Sequence, residues 1–361
     1  MTQFGRRGRL SPQVSAGRRA VEHAVKQSLG RAPQPTDRVF VALSGGPDSL
    51  ALAAAAAHFH RRHRLRVGAV VVDHQLQEGS DLVARRTVQQ ACDLGLDPVE
   101  LRTVAVRRDG EGLEAAARHA RYAALIDVCS QYGAHAVLLG HTRDDQAETV
   151  LLRLARGSGT RSLAGMSMVS VRDGLRVVRP FLGLTRDDTT QICAAEQLQP
   201  WWDPTNTDES FLRARVRHTV LPMLERELGP GVAASLARTA AIVGPDADEL
   251  DRQAEQLLHY AQDQVALEQN VDRTAADGDR VVLSLKVLHQ AAPALLHRTL
   301  ARACILAGGQ AVSSERLGAL AELARGRGES GPVQMAGKVS VYRRRPTSSD
   351  ASGTLEFRPT T

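Results

Sequence analysis

Three short runs of the 361-residue chain concentrate side chains that can do chemistry. The first is Ser44-Gly45-Gly46-Pro47-Asp48-Ser49. It follows the apolar run Val39-Phe40-Val41-Ala42-Leu43 and precedes an alanine-rich stretch over residues 50–57. Small residues between a strand and a helix leave backbone N–H groups and two hydroxyls unobstructed at a helix N-terminus, where an anion binds. The Gly-Lys-Ser/Thr ending of the kinase-type P-loop is missing. A plain glycine turn is the competing reading.

The second run is Gly140-His141-Thr142-Arg143-Asp144-Asp145-Gln146-Ala147-Glu148-Thr149. It ends an apolar segment and opens a helix, so its polar side chains converge at the same sheet edge. His141, Asp144, Asp145 and Glu148 offer a general base, Mg²⁺ ligands and an ammonium pocket. An acidic first turn favoured by the helix dipole accounts for two of the carboxylates, but not for the histidine or Glu148. The third run is Asp203-Pro204-Thr205-Asn206, leading into Arg213, Arg215 and Arg217. Arginines at alternate positions cannot share one helix face, so they reach different partners: RNA phosphates and ATP, or simply solvent. Two further groups are ambiguous. Asp73 closes an apolar run and can accept from a ribose or adenine, or cap a loop. Glu114, Arg118 and Arg121 are helical neighbours that can clamp a phosphate or form a solvated ion pair.

These residues need a scaffold, and the pattern from 38 to about 155 supplies an α/β one. Strands are predicted at 38–43, 66–73, 98–104 and 135–140, with helices at 12–29, 48–63, 79–95, 111–132 and 143–155. Short apolar strands alternating with helices imply a Rossmann-like parallel sheet covered on both faces. Ligands then gather beyond the strand C-termini, where Ser44, Asp73 and His141 fall. A hairpin ending at Arg179-Pro180, a helix at 185–197 and helical patterning over 209–228 follow. Gly229-Pro230-Gly231 reads as a domain boundary. Beyond it come a helical stretch (232–269), a strand (281–285), helices over 286–324 and a hairpin (332–335, 339–344). The expected division is a basic extension (1–37), a catalytic domain (38–230), a smaller mainly helical domain (231–345) and a Ser/Thr/Pro-rich disordered tail (346–361).

Composition narrows the class. The net charge is +6 although residues 241–279 hold ten acidic and two basic residues, so the rest of the chain suits a polyanionic partner. Cys92, Cys129, Cys193 and Cys304 are far apart and form no CxxC, which speaks against a zinc ribbon or iron–sulfur cluster. No apolar stretch reaches transmembrane length and no secretory signal is read at the N-terminus, so a cytoplasmic protein with no membrane partner is expected.

The first run resembles the SGGxDS loop of the ATP-pyrophosphatase superfamily, which splits ATP into AMP and pyrophosphate. With Val72-Asp73-His74, the 140–149 run, Arg156-Gly157-Ser158-Gly159 and the Asp203–Asn206 block leading to Arg213, Arg217 and Leu221-Pro222, the chain resembles the tRNA(Ile)-lysidine synthetase family. The match is close over about 38–230. The region from 231 onward resembles a reduced form of that family's tRNA-binding part.

The resemblance implies ATP-dependent adenylation of O2 of the wobble cytosine in a CAU-anticodon isoleucine tRNA. Free L-lysine then displaces AMP from C2. It assigns ATP binding to Ser44, Gly45, Gly46, Pro47, Asp48, Ser49 and Asp73, and Mg²⁺ to Asp48 and Asp144. His141, Asp145, Arg118 and Arg217 become catalytic, Glu148 receives a lysine ammonium, and Arg121, Arg213 and Arg215 contact tRNA. A homodimer is the implied assembly. The rival on the same fold is a tRNA 2-thiolation enzyme, which would need paired or cluster cysteines; a non-catalytic nucleotide-binding module would not need the His141–Glu148 run.

Overall fold

The computed structural model describes residues 10–106, 112–157, 159–269, 280–310, 312–327, 332–346 and 353–360. Ser158 of the Arg-Gly-Ser-Gly turn, the first nine residues of the basic extension and residues 347–352 of the expected tail lie outside them. The chain divides into two compact units, Met1–Gly244 and Pro245–Thr361.

In the first unit, α1 (Pro12–Leu29) precedes β1 (Arg38–Leu43), α2 (Pro47–Arg61), β2 (Arg66–Asp73), α3 (Ser80–Asp93), β3 (Val99–Thr103), α4 (Leu113–Gln131) and β4 (Ala136–Leu138). The chain continues through α5 (Arg143–Leu154), the short α6 (Thr160–Leu163), the hairpin β5 (Val169–Arg172) and β6 (Leu175–Val178), and α7 (Arg186–Ala195). The six strands form one sheet in the order β3-β2-β1-β4-β6-β5. Every pairing is parallel except β5 with β6. The hairpin therefore extends the main sheet instead of standing apart.

Strand β1 explains why the sheet is sandwiched. Val39, Val41 and Leu43 join the core beneath α1, α2 and α7, whereas Phe40 and Ala42 join the opposite core beneath α4. A strand buried on both faces must be a continuous apolar run, which is how 39–43 reads. Helix α2 is buried from Ser49 to Ala57, so small alanines let it pack against the sheet, α1 and α7 together.

After a 3₁₀ turn (Pro204–Thr207), α8 (Leu212–Arg215), a π-helical turn (Val216–Val220) and α9 (Leu221–Leu228) run nearly end to end. Gly229-Pro230-Gly231 separates α9 from α10 (Val232–Gln269), but it does not separate the two units. Ala233 and Leu236, in the first turns of α10, pack with Ala147, Val216 and Leu221 of the first unit. The glycine–proline break ends a helix without ending a core.

The second unit holds the rest of α10, then β7 (Val281–Ser284), α11 (Leu285–Gln290), α12 (Pro293–Leu306), α13 (Ser314–Ala324), β8 (Val333–Met335), β9 (Val339–Arg344) and β10 (Thr354–Pro359). It is mainly helical, as expected, with a four-stranded antiparallel sheet in the order β7-β10-β9-β8. The expected tail is corrected here: residues 354–359 form β10, an interior strand of that sheet. Leu355 and Phe357 point into the core and Glu356 and Arg358 away from it, a period-two alternation that outweighs the Ser/Thr/Pro composition of its surroundings.

Candidate active site

The loop after β1 is built from its own small side chains. Ser49 Oγ accepts from the Ser44 N–H at 3.2 Å, and its hydroxyl donates to the Gly46 carbonyl at 3.0 Å. The two serine hydroxyls lie 3.2 Å apart. Gly45 has φ +82°, and a Cβ there would sit 2.5 Å from Thr87 Oγ1, so both backbone and space require glycine. Gly140, just beyond β4, is constrained by space: its Cβ would lie 2.8 Å from the Asp48 carbonyl oxygen. That close approach brings the His141 segment against the first turn of α2. From the other side, the Trp201 N–H donates to the Gly45 carbonyl at 2.9 Å.

Helix α5 starts with a reciprocal cap. Asp145 Oδ2 accepts from the Thr142 N–H at 2.8 Å and from its hydroxyl at 3.0 Å. Asp145 Oδ1 is left to face three guanidiniums: Arg186 Nη2 at 2.6 Å, and Arg213 Nη2 and Arg217 Nη2 at 3.4 Å each. One turn later, Glu148 is 0 % exposed. Its Oε1 accepts from Arg186 Nη2 and Arg217 Nε, both at 2.8 Å, and its Oε2 from Arg213 Nε at 2.8 Å and Arg217 Nη2 at 3.2 Å. A carboxylate has about four acceptor positions, and all of them are filled. Glu148 was expected to be an open acceptor for an ammonium; in this arrangement it is closed, because three arginines occupy it.

The charges follow from this geometry. Burial opposes ionisation of Asp145 and Glu148, but the arginines outweigh it: Asp145 is lowered to about 2, and Glu148 also lies below its ordinary value. Arg186 is raised by the same two carboxylates despite its own burial. His141 goes the other way. Burial pushes it down to about 3, with Asp145 opposing and Arg179, Arg121 and Arg213 adding to the fall. It is a neutral imidazole at neutral pH, and its buried Nδ1 has no hydrogen-bond partner. Asp48 is raised to about 6 by burial, even though its Oδ1 accepts from the Thr189 hydroxyl.

Two adjoining cavities open at this sheet edge. One of about 250 Å³ is lined by Ala42, Val70, Val72, Asp73, His74 and Val83, among others. The other, about 570 Å³, is lined by the 44–49 loop apart from Gly45, with His141, Asp145, Arg186, Arg213 and Arg217. Ser44, Arg121, Trp201 and Asp203 line both. Asp73 itself turns one oxygen to its own loop, accepting from the Gln75 N–H at 2.9 Å. Arg121 has no ion-pair or hydrogen-bond partner among the described residues, and burial lowers its pKa.

Other expected residues fall outside the cavities. Arg118 is exposed, with its guanidinium 5.3 Å from the Tyr122 ring centroid. Arg215 is exposed and donates to the Glu209 and Ser210 carbonyls, on the side away from Arg213 and Arg217. Asp144 lines neither cavity; its Oδ2 accepts from the Arg186 N–H at 3.0 Å. Arg186 and Thr189, both central here, were missed by the sequence reading. A signal was present: Thr185-Arg186-Asp187-Asp188 repeats Thr142-Arg143-Asp144-Asp145, and both open helices with the same reciprocal cap. The two caps abut, since the Arg143 N–H donates to the Leu184 carbonyl at 2.7 Å.

Comparison with known proteins agrees with this geometry. The PP-loop domain family matches residues 18–224. The tRNA(Ile)-lysidine synthase of Streptomyces coelicolor is 46% identical over 325 residues, covering 90% of this chain and 87% of that protein. That of Salinispora tropica is 44% identical over 340 residues, covering 93% and 95%. The one from Thermobifida fusca is 53% identical over 236 residues, covering 65% and 71%. Among solved structures, the U34-tRNA thiolase NcsA of Methanococcus maripaludis, solved with its [4Fe-4S] cluster, superimposes with a TM-score of 0.52 at 17% identity. It covers 64% of this chain and 80% of its own, and supports the fold alone.

Proposed function

The chain belongs to the tRNA(Ile)-lysidine synthase family of PP-loop proteins, and from that premise we propose how its residues divide the work. The enzyme is an ATP-dependent ligase that converts the wobble cytidine of the CAU-anticodon isoleucine tRNA to lysidine, so that AUA is read in place of AUG. In the first step cytosine O2 attacks the α-phosphorus of ATP and the bond to pyrophosphate breaks. In the second, the ε-amine of lysine attacks C2, loses a proton, and AMP leaves with O2. The chemistry needs adenylation because a pyrimidine carbonyl oxygen is a poor leaving group until it is esterified.

Adenine and ribose fit the 250 Å³ cavity, whose floor is apolar and whose rim carries Asp73 and His74. The triphosphate then crosses the 44–49 loop, with its free N–H groups at the N-terminus of α2 and the Ser44 and Ser49 hydroxyls. Arg121, unpaired at the junction, suits the phosphate between the two cavities. Mg²⁺ is commonly held by one or two carboxylates together with substrate phosphates. Asp48 fits that role, being a half-buried carboxylate whose ionisation is opposed by burial and would be restored by a cation. Asp144 fits it poorly, since it faces the α7 cap. The metal would supply charge neutralisation of the departing pyrophosphate.

Three guanidiniums face two carboxylates at the centre, leaving one positive charge in excess. Anionic phosphates compete with Glu148 and Asp145 for Arg213 and Arg217. A guanidinium that turns to the phosphates frees a Glu148 oxygen for the lysine ammonium, so nucleotide binding prepares the amine site. The same negative charge raises the basicity of His141, which sits beside the reacting groups and can then take the proton that the amine must lose. Arg118 and Arg215 lie outside this machinery.

For the tRNA, the outward face of the second unit's sheet is suited to a phosphate backbone. Arg280 Nη2, Arg344 Nε and Arg358 Nε lie 2.7, 3.3 and 3.0 Å from the single carboxylate of Glu356, and Arg344 and Arg358 flank the Tyr342 ring. That excess of guanidinium supports the assignment of the C-terminal region to tRNA contact. The 2-thiolation alternative is disfavoured, since none of the four cysteines lines either cavity, where sulfur transfer would need a thiolate.

The observation that carries this reading is that the 44–49 loop apart from Gly45, His141, Asp145 and the three arginines line one cavity. It is tested by incubating the protein with CAU-anticodon isoleucine tRNA, ATP and labelled lysine. ATP-dependent transfer of label into RNA is expected; transfer of sulfur, or no transfer, would refute it.

A further inference from the structure

Trp202 is conspicuous because its ring is left exposed. It is 65 % exposed in a chain with only two tryptophans, four tyrosines and six phenylalanines. Its backbone is fixed on both sides. The Trp201 N–H bonds the Gly45 carbonyl, and Asp203 Oδ1 accepts from the Thr205 N–H at 2.9 Å and from Gln77 Nε2 at 3.2 Å. Yet among the described residues no ring or guanidinium covers the indole. Trp202 lines the 570 Å³ cavity together with the exposed Asn206, Thr207 and His218, whereas Arg213 and Arg217 on the same cavity are half-buried.

An exposed indole, uncovered among the described residues and carried on an anchored backbone at a cavity that must admit one nucleobase, is suited to be a stacking platform. Single-stranded RNA is read by splaying bases onto aromatic faces, and every base offers a face. We propose that Trp202 stacks on an unpaired base of the anticodon loop and holds the RNA so that the reacting cytosine reaches the cavity. A core role is excluded by its exposure, and a place beside the adenine by its absence from the smaller cavity. The proposal rests on the ligase reading above.

The test uses the chain's tryptophan count. Trp201→Phe leaves Trp202 as the only indole, and this variant is titrated with an anticodon stem–loop RNA bearing CAU. Saturable quenching of its fluorescence is expected, and it should be much weaker in Trp202→Phe, where only Trp201 reports. In steady-state lysidine formation, Trp202→Ala should raise the RNA KM between about fivefold and a hundredfold, the range of one lost stack. The ATP KM should stay at its wild-type value, which also shows that the variant is folded, and Trp202→Phe should recover most of the RNA affinity. An unquenched Trp201→Phe protein, or a Trp202→Ala enzyme with wild-type RNA KM, would overturn this proposal while leaving the ligase reading intact. Failure of the wild-type protein to form lysidine would overturn the ligase reading instead.

Discussion

Arg217 grips Glu148 with two nitrogens, Nε to Oε1 at 2.8 Å and Nη2 to Oε2 at 3.2 Å. The pair is π-helix to α-helix: Arg217 lies in the Val216–Val220 turn and Glu148 on α5. Such single-turn insertions recur at functional sites, and here the turn belongs to the segment that carries Arg213 and Arg217 to one carboxylate. Glu148→Gln keeps the shape but leaves three guanidiniums with Asp145 alone. Loss of a buried partner costs about 3–5 kcal/mol, so urea unfolding should show a stability loss in that range. A variant as stable as wild type would mean that Glu148 does not anchor the arginines.

If Glu148 receives the lysine ammonium as proposed, its closed acceptors make lysine binding dependent on nucleotide. Calorimetry should find lysine binding weak to the free protein and at least about tenfold tighter with a non-hydrolysable ATP analogue, with equal tightening of the analogue by lysine as linkage requires. Equal lysine affinity in both titrations would contradict the exchange of guanidinium for ammonium.

Arg186 joins Asp145 and Glu148 at 2.6 and 2.8 Å from within the large cavity. Removing an electrostatic stabiliser of this kind typically lowers kcat by about 10²–10³. Arg186→Ala should do so in ATP- and tRNA-dependent pyrophosphate release, and Arg118→Ala, outside both cavities, should leave that rate within about twofold of wild type. The reverse ranking would restore the sequence-based assignment.

How much of this was legible beforehand differs by region. The parallel sheet was, because β1 and β2 read as apolar runs of the kind buried on both faces, and the loop at 44–49 sits where β1 gives way to α2. Arg186 was legible only as a second copy of the Thr-Arg-Asp-Asp cap, because no spacing within α7 shows that this cap abuts that of α5. The saturation of Glu148 was equally hidden: it depends on Arg213 and Arg217 arriving from 65 and 69 residues away. β10 was obscured by composition, although the Leu355/Phe357 alternation was present in plain view.

His141 supplies a pH test with a definite sign. Its folded value of about 3 lies below the ordinary 6.5, so between those values the unfolded chain binds the extra proton. Stability contributed by neutral His141 is complete above pH 6.5 and falls as the pH drops toward 3. At pH 5 the loss is about 2 kcal/mol. His141→Asn should therefore lose less stability than wild type between pH 7 and pH 5, as read from urea midpoints. Parallel curves for the two proteins would contradict the buried neutral imidazole.

The most direct measurement omits lysine. Wild-type protein, ATP and CAU-anticodon isoleucine tRNA should release one pyrophosphate per bound tRNA and leave AMP esterified to the RNA. Adding lysine to the isolated complex should then free AMP and yield lysidine without more ATP. Pyrophosphate that appears only when lysine is present from the start, with no adenylated RNA to be trapped, would contradict activation of the nucleobase carbonyl as the step this site performs.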